Sequence, residues 1–115
     1  MFHKIIIVGR LGADPEQKYT VDGKAVTSFS VAAENRKDET LWFRVSAWEK
    51  MADVCGRYLK KGAKVLVEGA LKADAQGNPR TYERKDGTWG ASFEVVASSV
   101  KFLSGKDEPA DEVLF

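Results

Sequence analysis

Residues 41–50 alternate between two chemically different sets of side chains, as expected for a β-strand whose successive residues point to opposite faces. The odd positions are all apolar: Leu41, Phe43, Val45 and Ala47. The even positions mix two tryptophans with two cations and a hydroxyl: Trp42, Arg44, Ser46, Trp48 and Lys50. The pattern predicts a strand that turns its odd face toward a core and its even face outward.

This even face has two interpretations. Cations are unfavourable inside a core, and an ordinary solvent-facing surface rarely carries two large indole rings. A surface that binds single-stranded nucleic acid needs both, because bases stack on aromatic rings and phosphates pair with cations. The alternative is that Trp42 and Trp48 fold over onto the core or onto a subunit interface. The parity of the strand opposes this alternative, since the odd positions already supply the inner face.

Four further segments have the pattern of strands: residues 2–8, 24–33, 63–72 and 92–103. The first is a continuous apolar run, which is typical of a strand buried on both faces. One of its faces is expected to line the interior, and the other to be covered by a second subunit. The polar segments 11–23, 34–40 and 73–91 are predicted to be loops, with turn signals such as Asp22-Gly23.

Residues 50–61 change from a period of two to the period of a helix. Their apolar positions fall on one predicted stripe: Met51, Val54, Cys55, Tyr58 and Leu59. Lys60 and Lys61 suit the negative end of this helix, and Gly62 suits the position after it. The single cysteine, Cys55, lies on the stripe and is predicted to be a buried thiol rather than a nucleophile.

The order of these elements, three strands, a helix and two strands, is that of an OB-type barrel. The predicted fold class is therefore all-β with one helix, in the form of a five-stranded OB-fold barrel. Closing the sheet into a barrel also removes most of the free edges that five short strands would otherwise expose.

The charge distribution divides the chain. The 115 residues carry a net charge of only +1. Residues 1–104 hold 17 Lys and Arg against 13 Asp and Glu, a net +4, whereas residues 105–115 hold one Lys against four acidic residues, a net −3. We expect one folded domain over residues 1–104, followed by a short acidic disordered tail over residues 105–115.

Several classes of function find no support in the sequence. His3 has no neighbouring Cys or His, so no metal site is predicted. The segment from Gly9 to Gly12 precedes a polar loop rather than a helix, which argues against a phosphate cradle, and there is no catalytic constellation. We expect no cofactor and no enzymatic activity. Without a membrane-spanning run or a signal peptide, a cytoplasmic, nucleoid-associated location is expected.

Several segments, in order along the chain, resemble bacterial single-stranded DNA-binding proteins: residues 4–19, 41–45, 58–62 and 67–71. The resemblance extends over residues 2–103. It implies an OB fold, assembled as a homotetramer, that binds single-stranded DNA without sequence preference and without catalysis. It also implies roles in DNA replication, recombination and repair.

The resemblance implies base-stacking aromatics on the third predicted strand and in the long loop before the last. Trp42 and Trp48 occupy the strand positions. In the loop, Tyr82 is the first candidate and Trp89 the second, with a packed anchor as the alternative role for Trp89. Members of the family often carry another tryptophan after the second strand, where this chain has no aromatic residue and reads Glu34-Asn35-Arg36-Lys37. Binding there is expected to rely on the cations Arg36 and Lys37. The remaining predicted DNA-binding residues are the cations Arg44, Arg80, Arg84 and Lys85.

The tail resembles the family's acidic partner-docking tip but lacks the usual long linker, and Leu114 stands where a proline is usual. Its predicted partner-binding residues, which would dock replication and repair proteins, are Asp111, Glu112, Val113, Leu114 and Phe115. Two other hypotheses stay open: an OB-fold adaptor of the primosome type, whose aromatic face docks a protein, and an RNA-binding OB domain. Binding to bare DNA and competition between DNA and RNA distinguish them.

Overall fold

The computed structural model describes residues 1–103, and β-strands dominate this part of the chain. The elements are β1 (Ile5–Leu11), β2 (Glu16–Tyr19), β3 (Ala25–Arg36), β4 (Glu39–Trp48), α1 (Lys50–Tyr58), β5 (Lys64–Leu71), β6 (Thr81–Glu83), β7 (Trp89–Ala91) and β8 (Phe93–Phe102). The predicted tail and its five partner-binding residues lie outside the described residues.

Five of the strands close into a barrel. They pair in the order β1-β5-β8-β4-β3, and β3 returns to β1 through Arg10 opposite Ala32 and Leu11 opposite Val31. The β4–β8 pair is parallel and the others are antiparallel. With the helix between β4 and β5, this arrangement confirms the predicted OB-type barrel with one helix.

Alternate residues of the barrel strands fill its interior. Phe43, Val45 and Ala47 of β4 are buried, as the alternation predicted. They join β-branched side chains of the other strands, among them Val31, Val67 and Val95, all of which have no exposed surface. Burying such stiff side chains in register stabilises the closed sheet, and it leaves the outward residues of β4 on the surface.

Helix α1 closes one end of the barrel, but it ends sooner than the sequence predicted. The hydroxyl of Thr27, which is fully buried, donates to the carbonyl of Ala52 at 2.7 Å and ties the helix to β3. The helix ends at Tyr58 rather than at residue 61, and Leu59 is already extended. Lys60, Lys61 and Gly62 therefore lie in the turn before β5, and the interpretation of them as helix-end residues was wrong.

The reason for the early end is competition from β1. The N–H of Gly62 donates to the carbonyl of Leu11 at 2.9 Å, and the N–H of Lys61 donates to the carboxylate of Asp14 at 2.8 Å. The apolar stripe is also narrower than predicted, because Val54 and Tyr58 are exposed. Cys55 is buried as predicted, and its burial raises the pKa of the thiol to about 11, so it stays protonated at neutral pH.

The predicted loops contain strands that their composition concealed. Strand β2 lies within the polar segment 11–23, all four of its residues are exposed, and it pairs with the start of β3 across the turn at Gly23. The predicted loop 34–40 shrinks to a two-residue turn at residues 37–38. The segment 73–91 carries the two-stranded hairpin β6–β7, which we call the arm. These short strands are stabilised by backbone hydrogen bonds to a neighbouring strand rather than by burial of apolar side chains.

Candidate nucleic-acid interface

The outer face of β4 carries the side chains that the sequence predicted for it. Trp42 is 52% exposed, Trp48 is half-buried, and Arg44 is exposed between them. Their inward neighbours Phe43 and Val45 are buried in the barrel. The structure therefore confirms the alternation, and it excludes the alternative in which Trp42 is part of the core of this chain.

Small side chains surround these large ones on the neighbouring strand β3. Residues that pair in register share one face of a sheet. Trp42 lies opposite Ala32, Arg44 opposite Ser30, and Ser46 opposite Ser28. Trp42 and Arg44 therefore border a low floor of small β3 residues, whereas Trp48 lies opposite Val26. Such a floor leaves room for bases beside the rings.

The tip of the Trp42 ring lies close to Gly12, in the loop that follows β1. The glycine at position 12 lies so close that a Cβ there would be 2.5 Å from Cζ3 and 2.7 Å from Cη2 of the indole, but 3.8 Å from Cε3. An added Cβ would thus meet the outer rim of the six-membered ring rather than its face. The face of the indole is consequently not covered by Gly12.

Two of the predicted DNA-binding cations, Arg44 and Arg80, each have a carboxylate nearby that was not predicted from the sequence. Arg44 Nη2 lies 3.9 Å from Glu16 Oε1, and Arg80 Nε lies 3.7 Å from Glu94 Oε2. Glu16 is on β2, a segment that was predicted to be loop. Glu94 is on β8, where it lies opposite Arg44 in the register of the parallel β4–β8 pair, although its ion pair is with Arg80. Both ion pairs are long and partly exposed, so they are weak and a phosphate can replace the carboxylate.

The arm separates its two aromatic candidates. Tyr82 pairs with Gly90, and Glu83 pairs with Trp89, so the side chains of Tyr82 and Trp89 point to opposite faces of the hairpin. Both are exposed, at 47% and 66%. One DNA strand lying along one face of the arm therefore meets only one of these two rings.

Arg84 is engaged within the arm. Its Nη1 donates to the carbonyl of Trp89 at 2.7 Å and contacts the hydroxyl of Thr88 at 3.4 Å, and its guanidinium carbon lies 5.5 Å from the centre of the Tyr82 ring. These contacts fix Tyr82 relative to β7. Arg84 thus stabilises the arm, in addition to its predicted role in DNA binding.

The tip of the arm carries the cation Lys85, which is exposed. It adjoins a turn in which the hydroxyl and N–H of Thr88 donate to Asp86, and these hydrogen bonds lower the pKa of that carboxyl. The end of the β3–β4 hairpin, residues 34–39, carries Arg36 and Lys37, both exposed. Within residues 34–39 three acidic residues outnumber the two cations: Glu34, Asp38 and Glu39. The local charge is therefore less favourable for phosphate binding than the two cations alone indicated.

Within residues 1–103, no cluster of three His, Cys, Asp or Glu side chains could hold a metal ion. His3 accepts a hydrogen bond from the N–H of Leu71 at 2.9 Å through Nε2, which gives this lone histidine a structural contact. The same part of the chain contains no helix that is long and apolar enough to cross a bilayer.

Comparison with known proteins gives one consistent family. The model of the single-strand binding protein family matches residues 2–103. The chain is 37% identical over 114 residues to the single-stranded DNA-binding protein of Neisseria meningitidis serogroup A, a match that covers 92% of this chain and 62% of that relative. It is 38% identical over 120 residues to the Thermotoga maritima single-stranded DNA-binding protein, covering 97% and 79%. The chain thus spans less than two thirds of the length of the Neisseria relative.

Proposed function

Because the chain belongs to the single-strand binding protein family, we propose that it binds and coats single-stranded DNA without sequence preference, in replication, recombination and repair. The observation that carries the proposal is the outer face of β4, where the exposed Trp42, Arg44 and the half-buried Trp48 alternate, with small β3 residues opposite Trp42 and Arg44. Proteins of this family are not enzymes, and none of the proposed roles involves catalysis.

The proposed mechanism separates affinity into two additive parts. Unstacked bases lie against the indoles of Trp42 and Trp48, and against Tyr82 or Trp89 when the arm approaches the strand. The cations take the place of counterions along the sugar-phosphate backbone, and they are Arg36, Lys37, Arg44, Arg80, Arg84 and Lys85. Neither contact reads the hydrogen-bonding edge of a base, so the binding is independent of sequence.

The salt dependence of binding tests the electrostatic part. For single strands, the logarithm of affinity is expected to fall with the logarithm of salt concentration by roughly 0.7 per neutralised phosphate. Replacing Arg44, Arg80, Arg84 or Lys85 singly by Gln will make this slope shallower without creating a preference among homopolymers. Arg57→Gln, which removes an exposed cation from helix α1, is the matched control and will leave the slope unchanged. Equal slopes for all five variants would contradict the assignment.

We further propose that the outer face of β1 is covered by a second copy of the chain, in a dimer of dimers. Ile6 is 58% exposed, and Val8 lies on the same face opposite Leu66 of β5. An exposed isoleucine beside further apolar side chains on a regular strand is the kind of surface that a symmetric interface buries.

Ile6→Asp will therefore dissociate the tetramer, because an unpaired carboxylate buried at the interface costs several kcal/mol. Light scattering at micromolar concentration measures the mass. Val21→Asp, at a fully exposed valine in the turn before β3, is the control and will leave the mass unchanged. A wild-type chain that is monomeric, or an Ile6→Asp chain that stays tetrameric, would contradict this proposal.

The acidic tail is proposed to dock replication and repair proteins. Its acidic residues suit a basic rim on the partner, and Val113, Leu114 and Phe115 suit an apolar pocket. Deleting residues 107–115 will leave the unfolding midpoint unchanged, slightly raise DNA affinity at low salt and abolish binding to such partners. A truncated chain that unfolds, or that still binds these partners in a pull-down, would show that the tail has another role.

A further inference from the structure

The glycine at position 12 has no conformational reason to be glycine. Its φ lies outside the left-handed region, unlike that of Gly23 or Gly62. Its N–H donates to the carbonyl of Ser30 at 3.1 Å, and the preceding residue, Leu11, is buried in the core. The backbone at Gly12 is therefore fixed between β1 and β3 in a conformation that alanine could also adopt.

A side chain at position 12 would have no room, because the Trp42 ring occupies the place of its Cβ. The atoms nearest to a Cβ built there all belong to the ring of Trp42. A Cβ at 2.5 Å from Cζ3 is far inside van der Waals contact, so either the backbone or the indole would have to shift. The backbone of Gly12 is hydrogen-bonded to Ser30 of β3, whereas the Trp42 side chain is half exposed. The indole is therefore the group that would move.

We propose that Gly12 is a positioning residue for base stacking: its missing side chain leaves a seat for the rim of the Trp42 indole and fixes the ring with its face open to a base. This inference rests on the proposed stacking role of Trp42. It explains why an exposed tryptophan would be ordered before DNA arrives. A stacking ring held in place loses less side-chain entropy on binding than a freely rotating one.

The test is a double-mutant cycle between Gly12→Ala and Trp42→Phe. Phenylalanine lacks the outer ring carbons that contact position 12, so the added methyl has nothing to displace. With Trp42 present, we expect Gly12→Ala to weaken oligo-dT binding by about tenfold, within the range of a stacked base. In the Trp42→Phe background the same change will have no effect. Ala13→Ser, which adds one atom at the exposed neighbouring position, is the control.

A second measurement distinguishes the effect of Gly12 on the position of the Trp42 ring from the role of that ring in DNA binding. In a chain whose only tryptophan is Trp42, obtained by Trp48→Phe and Trp89→Phe, Gly12→Ala will shift the emission of the free protein. An unchanged emission, or equal losses of affinity in both backgrounds, would overturn the proposal. If the emission shifts but Trp42→Ala binds DNA like the wild type, the stacking function itself fails, and with it the role of Gly12 in binding.

Discussion

Replacing both Trp42 and Trp48 by alanine will weaken oligo-dT binding by about 2–6 kcal/mol while leaving the barrel folded. The scale of ~1–3 kcal/mol per stacked base is the one already known for OB-fold proteins of this family and is not an independent result of this structure. The structure explains why the fold should survive: both rings project from the outer face of β4, whereas the core side chains of this strand are the buried Phe43, Val45 and Ala47.

Tyr58→Ala is the matched control for this double variant. It removes an exposed aromatic side chain, at 61% exposure, from helix α1 rather than from the outer face of β4. Affinity measured by titration, together with a urea unfolding curve for each variant, separates loss of binding from loss of fold. A folded double variant that binds within a factor of a few of the wild type would remove both tryptophans from the interface.

Gly9→Ala will lower the free energy of unfolding by about 3 kcal/mol, at the upper end of overpacking effects. A Cβ at position 9 would lie 2.1 Å from the carbonyl oxygen of Ala32 and 2.8 Å from Val31 Cγ1. Both neighbours belong to β3 at the point where it returns to β1 and closes the barrel. The backbone of β3 cannot retreat without breaking this closure.

Gly12→Ala provides the comparison, since the same atom is added only three residues later in the chain. There it meets an exposed side chain rather than backbone, so unfolding in urea will change little while DNA affinity falls. Adding Val31→Ala to Gly9→Ala will not restore stability, because the contact with the Ala32 carbonyl remains. Equal stability of the Gly9→Ala chain and the wild type would show that β1 and β3 do not pack this closely in solution.

The elements that the sequence predicted well are those that bury apolar side chains at a regular spacing. The alternation around Phe43 and Val45 identified both β4 and its outer face, because core burial imposes period two on a half-buried strand. Strand β2 was missed because its four residues, Glu16–Tyr19, are exposed and it exists only through backbone pairing with β3. Helix α1 ended early because hydrogen bonds from Lys61 and Gly62 to the β1 region compete with another helical turn.

The residues of the candidate site likewise fall into those that could be predicted from local periodicity and those that could not. Trp42, Arg44 and Trp48 could be assigned because they lie on one strand, where local periodicity decides which way each side chain points. The carboxylates near Arg44 and Arg80, and the contact between Gly12 and Trp42, depend on residues far apart in sequence that only the barrel brings together. In the arm, the opposite orientations of Tyr82 and Trp89 follow from a hairpin register that the turn-rich sequence did not specify.

In the proposed function, DNA bases stack on the outer face of β4 and cations bind the sugar-phosphate backbone. Titration of the full chain with oligo-dT at two salt concentrations, followed by tryptophan fluorescence, tests both parts in one measurement. Stacking and charge pairing together predict strong quenching that saturates, with an affinity that falls steeply as salt rises and a quenched emission at saturation that does not change with salt. Binding without quenching, or an affinity independent of salt, would contradict the proposed function.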